Sequence, residues 1–231
     1  MRRTVGLLGL GWLVLFAIGG PVLQGRPPGF DMPAAELRAQ FQQHATRYLA
    51  GDFIAGAGFC LLLVPFAAFL PDALGVVART GWARLASSSA VGLTAAGGAV
   101  TSFLDAIAIA HGGPQLDDAT LSMLLYANSA GIAFLGLPAA TFATAAGALA
   151  WLAGRRGLAM FGWLAATLLL AGAAFPLGAA DGPLWTIRFA GFVVLAAFVA
   201  ATSITLLGPR RADPGPVELF HESATAEDRP A

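Results

Sequence analysis

The sequence predicts an all-α protein, a polytopic bundle of six transmembrane helices. The chain of 231 residues is 57% hydrophobic and only 11% charged, with a mean hydropathy of +0.73, whereas soluble domains carry about 25% charged residues. So few charges cannot cover a soluble globule of this size. An unusually apolar soluble core would need polar faces between its hydrophobic runs, and the long runs here have none. The lipid bilayer is therefore the expected partner.

Six apolar stretches are long enough to cross a bilayer, which takes about 20 residues. The fourth is longer than one crossing requires and contains Pro138, which predicts a kink. We expect the spans at residues 5–23, 49–70, 87–110, 119–153, 158–178 and 184–207. These spans define one transmembrane domain over residues 1–207. The segment 208–231, rich in Pro, Glu, Asp and Ala, is predicted to be a disordered cytoplasmic tail.

Arginine placement predicts the orientation. With six spans, four groups of arginines fall on one side of the membrane, at residues 2–3, 79 and 84, 155–156 and 210–211. The loops on the opposite side, "HGGPQLDD" and "AADG", contain no arginine. Cytoplasmic loops carry the excess of basic residues. We therefore predict an inner (plasma) membrane protein with both termini in the cytoplasm. Arg26, Arg38 and Arg47, in the first external loop, depart from this pattern.

The first apolar stretch has a competing interpretation as a cleaved signal peptide, because "MRRTVGLLGLGWLVLFAIGG" starts with basic residues. Cleavage would leave five spans and an external N-terminus. The stretch is long for a signal peptide and is followed by no clear A-x-A-like site, which favours a retained first span.

The external loop at residues 25–48 predicts an amphipathic helix that leads into the second span. Asp31 with a following proline is a helix-start signal. Leu37, Phe41, Ala45 and Tyr48 recur every three or four residues and form an apolar stripe. Such a stripe favours packing over the outer ends of the bundle as a cap, and a lid or partner surface is the functional alternative.

Asp105 lies in the apolar run "TSFLDAIAIAHGG". At 100° per residue, small and polar residues share its side of the third span, and bulky residues take other directions. The small and polar side comprises Thr94, Gly98, Thr101 and Ser102; the bulky residues are Leu93, Val100, Leu104 and Ile107. Small residues favour helix contacts in membranes. We therefore expect the polar side to face the bundle and the bulky side to face lipid.

Several polar residues reach the same outer level of the predicted bundle. Gln24 ends the first span at that level, and the candidate ligand-binding or structural cluster comprises Asp52, Asp105, Asn128, Arg188, Tyr126 and His111. A guanidinium near the bilayer must pair or reach the interface, so we expect an Arg188–Asp105 ion pair. This cluster either locks the helices together or forms an outward pocket for a small polar molecule, an ion or a lipid headgroup.

Other chemistries find little support in the sequence. Zero formal net charge and the lack of a basic stripe argue against a nucleic-acid partner. Cys60 is the single cysteine, so we predict no Cys/His metal site. There is no Walker loop, dinucleotide fingerprint or pair of histidines inside the spans, and we predict no cofactor. Paired carboxylates at Asp52 and Asp105 leave an intramembrane enzyme as a less favoured alternative, with no catalytic residue assigned.

Three features of the sequence resemble those of other membrane proteins. They are the loop after span one, the segment "YANSAGIAFLGLP" in span four and the segment "RRGLAMFGWLA" leading into span five. Over most of the first 207 residues the chain resembles a broad set of uncharacterised small six-span integral membrane proteins of GC-rich bacteria. This resemblance implies no particular activity. Together with the polar cluster, it leads us to expect a non-enzymatic membrane component that binds a small ligand, lipid or membrane protein partner at its outer face. The alternative is a small-molecule or ion transporter.

Overall fold

The computed structural model describes residues 1–25, 32–77, 80–110, 114–173 and 183–209, with the side chains of 183–185 excepted. His111 and residues 210–231 of the predicted disordered tail at 208–231 lie outside these residues. Six helices of the described chain are long and apolar enough to cross a membrane, which confirms the predicted fold class. They are α1 (Arg2–Gln24), α2 (Ala34–Leu74), α3 (Gly81–Ile109), α4 (Asp118–Leu152), α5 (Arg156–Ala173) and α6 (Pro183–Leu207).

The six helices form a closed ring in chain order. Each helix packs on its neighbours in the sequence, and α1 also packs on α6. Within this ring, α4 also contacts α2 and α6, which are not its neighbours in the sequence. Its alanine-rich segment 139–150 is almost completely buried. Because alanine side chains are short, the neighbouring backbones approach α4 closely. Pro138 lies within this continuous helix and does not divide it.

Helix α2 is a single helix of 41 residues, so the predicted loop helix and second span are continuous. At 1.5 Å per residue it is about 60 Å long, twice the thickness of a hydrocarbon core. Its first part packs on the end of α3 and the start of α4, as expected of a cap. This outer cluster consists of Leu37, Phe41 and Tyr48 from α2, Leu104, Ile107 and Ala108 from α3, and Leu121 and Leu125 from α4.

The tip of α2 is also attached to the start of α4 by polar contacts. Arg38 lies 2.5 Å from a carboxylate oxygen of Asp118 and donates a second hydrogen bond of 2.7 Å to the carbonyl of Leu116. Asp117 caps α4 by accepting a hydrogen bond of 2.6 Å from the backbone N–H of Thr120. This cap satisfies an amide group that has no partner within the helix.

The last turn of α1 is π-helical, from Ile18 to Gln24, with Pro21 inside it. Proline has no N–H to donate and its ring displaces the preceding turn, and a π-helical turn is one way to accommodate it. The helix ends at Gly25, whose φ of +69° lies in the region that favours glycine. The Gly25 N–H donates to the carbonyl of Gly20. The chain therefore leaves α1 directly after Gln24.

The predicted facing of the third span is wrong. The bulky side of α3, namely Leu93, Val100, Leu104 and Ile107, is buried in the bundle. Gly98 and Ser102, on the small and polar side, are exposed. The hydroxyls explain the difference: Thr101 donates to the carbonyl of Gly98 and Ser102 to that of Ala99. Because their own helix satisfies these hydroxyls, they need no partner on another helix. Asp105, on the same side, is half-buried and contacts Asp52.

Candidate functional site

Gln24, Asp52 and Asp105 come to one level near the end of the bundle where α1 ends and α4 begins. At 1.5 Å per residue, Asp52 lies about 33 Å from Leu74 at the opposite end of α2, and Asp105 lies about 35 Å from Trp82 in α3. Gln24 is the last residue of α1. A hydrocarbon core is about 30 Å thick. The three side chains therefore lie about one hydrocarbon thickness from the opposite end of the bundle.

A close backbone contact places Gln24 beside α2. A β-carbon on Gly51 would lie 2.5 Å from the carbonyl oxygen of Gly19 and 2.7 Å from Cγ of Gln24. A β-carbon on Gly19 would lie 2.6 Å from the carbonyl oxygen of Gly51. Both positions therefore require glycine, and this is the packing of small residues by which membrane helices approach closely. The contact brings the Gln24 side chain against the next residue, Asp52.

Asp52 and Asp105 form an acid pair. Asp52 is only 7% exposed, and its Oδ1 accepts a hydrogen bond from Nε2 of Gln24. The carboxyl groups of Asp52 and Asp105 lie within hydrogen-bonding range of each other. Oδ2 of Asp52 and Oδ1 of Asp105 are buried, and neither has a hydrogen-bond donor among the described residues. The pair thus presents two buried acceptor atoms that need a donor or a cation.

Two carboxylates this close cannot both stay ionised without compensation. Either one proton is shared between them, or a cation or an N–H donor lies against both. Gln24 supplies a donor to one oxygen only. The arrangement can therefore hold a proton or a small cationic group, and a bare pair of negative charges is the least favourable state.

The outer cluster covers the acid pair on the side of the first loop. Tyr48 lies one helical turn outward from Asp52, is buried, and stacks on Phe41 with a centroid distance of 4.8 Å. Its hydroxyl accepts a hydrogen bond of 2.8 Å from Nε2 of Gln40. Leu104, adjacent to Asp105 in the sequence, packs in the same cluster. This apolar cover strengthens electrostatic interactions at the pair because it limits the access of water.

The other predicted site residues that the structure describes make no hydrogen bond or ion pair with Asp52 or Asp105. Asn128 is buried and donates a hydrogen bond of 3.1 Å to the carbonyl of Val100, which joins α4 to α3. Tyr126 is 51% exposed on the surface of α4. His111 lies outside the described residues. The predicted convergence is thus limited, among these residues, to Asp52 and Asp105.

Arg188 does not pair with Asp105, contrary to the expectation from the sequence. Its Nε and one terminal nitrogen donate to the carbonyl oxygen of Gly172 on α5, over 3.3 and 3.2 Å. A β-carbon on Gly172 would lie 2.7 Å from Cα of Arg188. This close contact places the guanidinium against the neighbouring backbone, so that Arg188 contributes to the α5–α6 interface.

Gln24 is the site residue that the sequence cluster omitted. Its level was visible in the sequence, but its pairing with Asp52 depends on the contact between Gly19 and Gly51. The signal that could have identified it is the pair of glycines, one on each helix, at matching distances from the polar residues. A glycine alone is too common in membrane helices to indicate such a contact.

Comparisons with protein-family models, with curated proteins and with solved structures found no match.

Proposed function

We propose that the protein is an integral membrane protein that binds a small cationic ligand at its outer face, without catalysing a reaction. The observation that carries this proposal is the acid pair, with two buried carboxyl oxygens that have no donor among the described residues. A buried unsatisfied acceptor costs about 1–3 kcal/mol, and more when charged. A small cation or an ammonium group between Asp52 and Asp105 removes that cost.

The position of the pair supports an external ligand. The acid pair lies at the outer edge of the apolar layer, about 33 Å along α2 from its inner end. The arginine distribution supports an inner-membrane protein with both termini in the cytoplasm. The ligand would then arrive from the side of the first loop, and the outer cluster, which covers the acid pair on that side, would have to move to admit it. Reporter enzymes fused after Leu207 and within the first loop test this orientation. The fusion after Leu207 should give a cytoplasmic signal, and the fusion within the first loop should give an external signal.

Thermal unfolding of the full chain in detergent tests the proposed binding. The probes are Na⁺, K⁺, Ca²⁺ and methylammonium, added at constant ionic strength. We expect at least one probe to raise the Tm of the wild type, because a ligand at about 100 times its Kd stabilises by about 2.7 kcal/mol. Asp52→Asn and Asp105→Asn should each abolish this increase. The absence of any increase in the wild type would contradict the proposal.

Asp72→Asn is the matched control, since Asp72 is an exposed carboxylate at the other end of the same helix. It should retain the full response to the probe. A response lost equally in Asp72→Asn would indicate non-specific screening of charge and would overturn the assignment to the acid pair.

A transporter is the second candidate, and a specific observation favours it. Both helices that provide Gln24 and Asp52 contain π-helical segments, Ile18–Gln24 in α1 and Phe59–Leu63 in α2. π-helical turns occur frequently at functional sites. Proteoliposomes loaded with the responding probe distinguish the two functions. A flux that Asp52→Asn abolishes indicates transport, whereas binding without flux indicates a receptor or structural component.

A further inference from the structure

A groove lies at the opposite end of the bundle from the acid pair, between the inner end of α2 and the start of α3. Its volume is about 390 Å³, within the range of small-molecule sites, and it is open to the surface. One part of its lining is polar, namely Arg84, Ser87 and Ser88, and the other is apolar, namely Ala68, Pro71 and Val91.

The polar part of the groove favours an anion. Arg84 is exposed, and no carboxylate of the described chain forms an ion pair with it. Asp72, next to Pro71, is not among the lining residues. The hydroxyls of Ser87 and Ser88 make hydrogen bonds of 3.1 and 3.2 Å to carbonyls of their own helix. These carbonyls are already acceptors within the helix, so each hydroxyl can rotate to donate to a ligand.

The level of the groove matches a lipid headgroup. Trp82, in the first turn of α3, is 42% exposed, as is typical of aromatic residues at a membrane interface. Arg84 lies at the same level, and Val91 lies about 10 Å further along the helix towards the middle of the bundle. Ala68 and Val91 are both exposed. The lining thus changes from cationic to apolar in the direction in which a phospholipid changes from headgroup to acyl chain.

We propose that this groove binds an anionic phospholipid, with its phosphate at Arg84 and the start of an acyl chain against Ala68 and Val91. Free inorganic phosphate would use Arg84 but not the apolar wall. A zwitterionic lipid carries the same phosphate, but its ammonium group adds a positive charge beside Arg84 and finds no carboxylate among the lining residues. The site is separate from the acid pair and does not depend on the function proposed for it.

Native mass spectrometry of the detergent-purified full chain tests the proposal, with phosphatidylglycerol and phosphatidylcholine of the same acyl chains as probes. We expect the wild type to bind phosphatidylglycerol preferentially. Arg84→Gln should weaken that binding about fivefold, the factor for about 1 kcal/mol per basic residue at an anionic membrane surface. Arg84→Lys should retain most of the preference because it keeps the charge.

Arg3→Gln is the matched control, since Arg3 is exposed at the same end of the bundle but does not line the groove. It should bind phosphatidylglycerol like the wild type. Val91→Trp, which fills the apolar part, should weaken phosphatidylglycerol binding while Arg84 is present. Equal affinity of the wild type and Arg84→Gln, or displacement of the lipid by millimolar inorganic phosphate alone, would overturn the proposal.

Discussion

Arg188 donates two hydrogen bonds, of 3.3 and 3.2 Å, to the single carbonyl oxygen of Gly172 on the neighbouring helix. A guanidinium always carries its charge, so a backbone carbonyl with a partial negative charge is a useful acceptor in an apolar layer. The contact is possible because Gly172 has no side chain between the two helices. Asp105 is thereby left to interact with Asp52.

Two double-mutant cycles should therefore give different results. For Asp105→Asn with Arg188→Gln, we expect additive changes in unfolding free energy, within about 0.5 kcal/mol, because the two side chains share no contact. For Gln24→Leu with Asp52→Leu, we expect a coupling energy of about 1 kcal/mol or more, because they are hydrogen-bonded. Unfolding of the four variants of each cycle in detergent measures both. Strong coupling between Asp105 and Arg188 would contradict the structure.

Gly51→Ala should destabilise the bundle by about 1–3 kcal/mol, the usual cost of overpacking. Its β-carbon would meet the carbonyl oxygen of Gly19 at 2.5 Å, and backbone atoms cannot move aside independently. Gly56→Ala is the matched control on the same helix, because no atom lies within 4 Å of its β-carbon. That change should be neutral or stabilise by up to about 1 kcal/mol. Equal Tm values for the two variants would argue against the close contact.

Asn128→Leu should lower the unfolding free energy by about 0.5–1.5 kcal/mol. The substitution removes the hydrogen bond to Val100 and leaves a side chain of similar volume. Interhelical hydrogen bonds in membrane proteins average about 0.6 kcal/mol, which sets the expected scale. Thr141→Val serves as the control, since Thr141 is partly exposed and donates only within its own helix. A larger effect at Thr141 than at Asn128 would contradict this role of Asn128.

The stability conferred by Asp117 should depend on pH. Hydrogen bonds from Thr120 hold the pKa of Asp117 below its ordinary value of 3.8. The backbone N–H of Thr120 has the larger effect, and its hydroxyl has the second. The carboxylate therefore stabilises the folded state above about pH 4, and this contribution is lost as the pH falls through the lowered pKa. The Tm difference between wild type and Asp117→Ala should shrink over that acidic range. A difference that stays constant down to pH 2.5 would rule out a charged cap.

The fold was predictable from the sequence because length and apolarity decide it. A stretch of 20 apolar residues has few alternatives to a membrane helix, and six such stretches gave the correct class. The stripe of Leu37, Phe41 and Tyr48 likewise identified the surface of α2 that packs on α3 and α4. Composition and periodicity were sufficient to predict these two features, because a single physical requirement determines each of them.

The arrangement of the polar residues was less predictable because it depends on which helices touch. The expected inward face of α3 assumed that hydroxyls seek partners on other helices, whereas Thr101 and Ser102 donate to their own helix. The expected Arg188–Asp105 pair assumed that oppositely charged side chains within the bundle pair with each other. The ring order instead places α6 beside α5 and α1, and Arg188 donates to a backbone carbonyl of α5.

The unbroken length of α2 has a mechanical consequence. Gly51 is held against α1, about 25 Å from the tip of α2 at Ala34 and about 35 Å from Leu74. A tilt of about 10° around this point moves the tip by about 4 Å and the far end by about 6 Å in the opposite direction. Such a tilt would leave Asp52, next to Gly51, nearly in place, but it would shift Pro71 relative to Arg84 across the groove that both residues line.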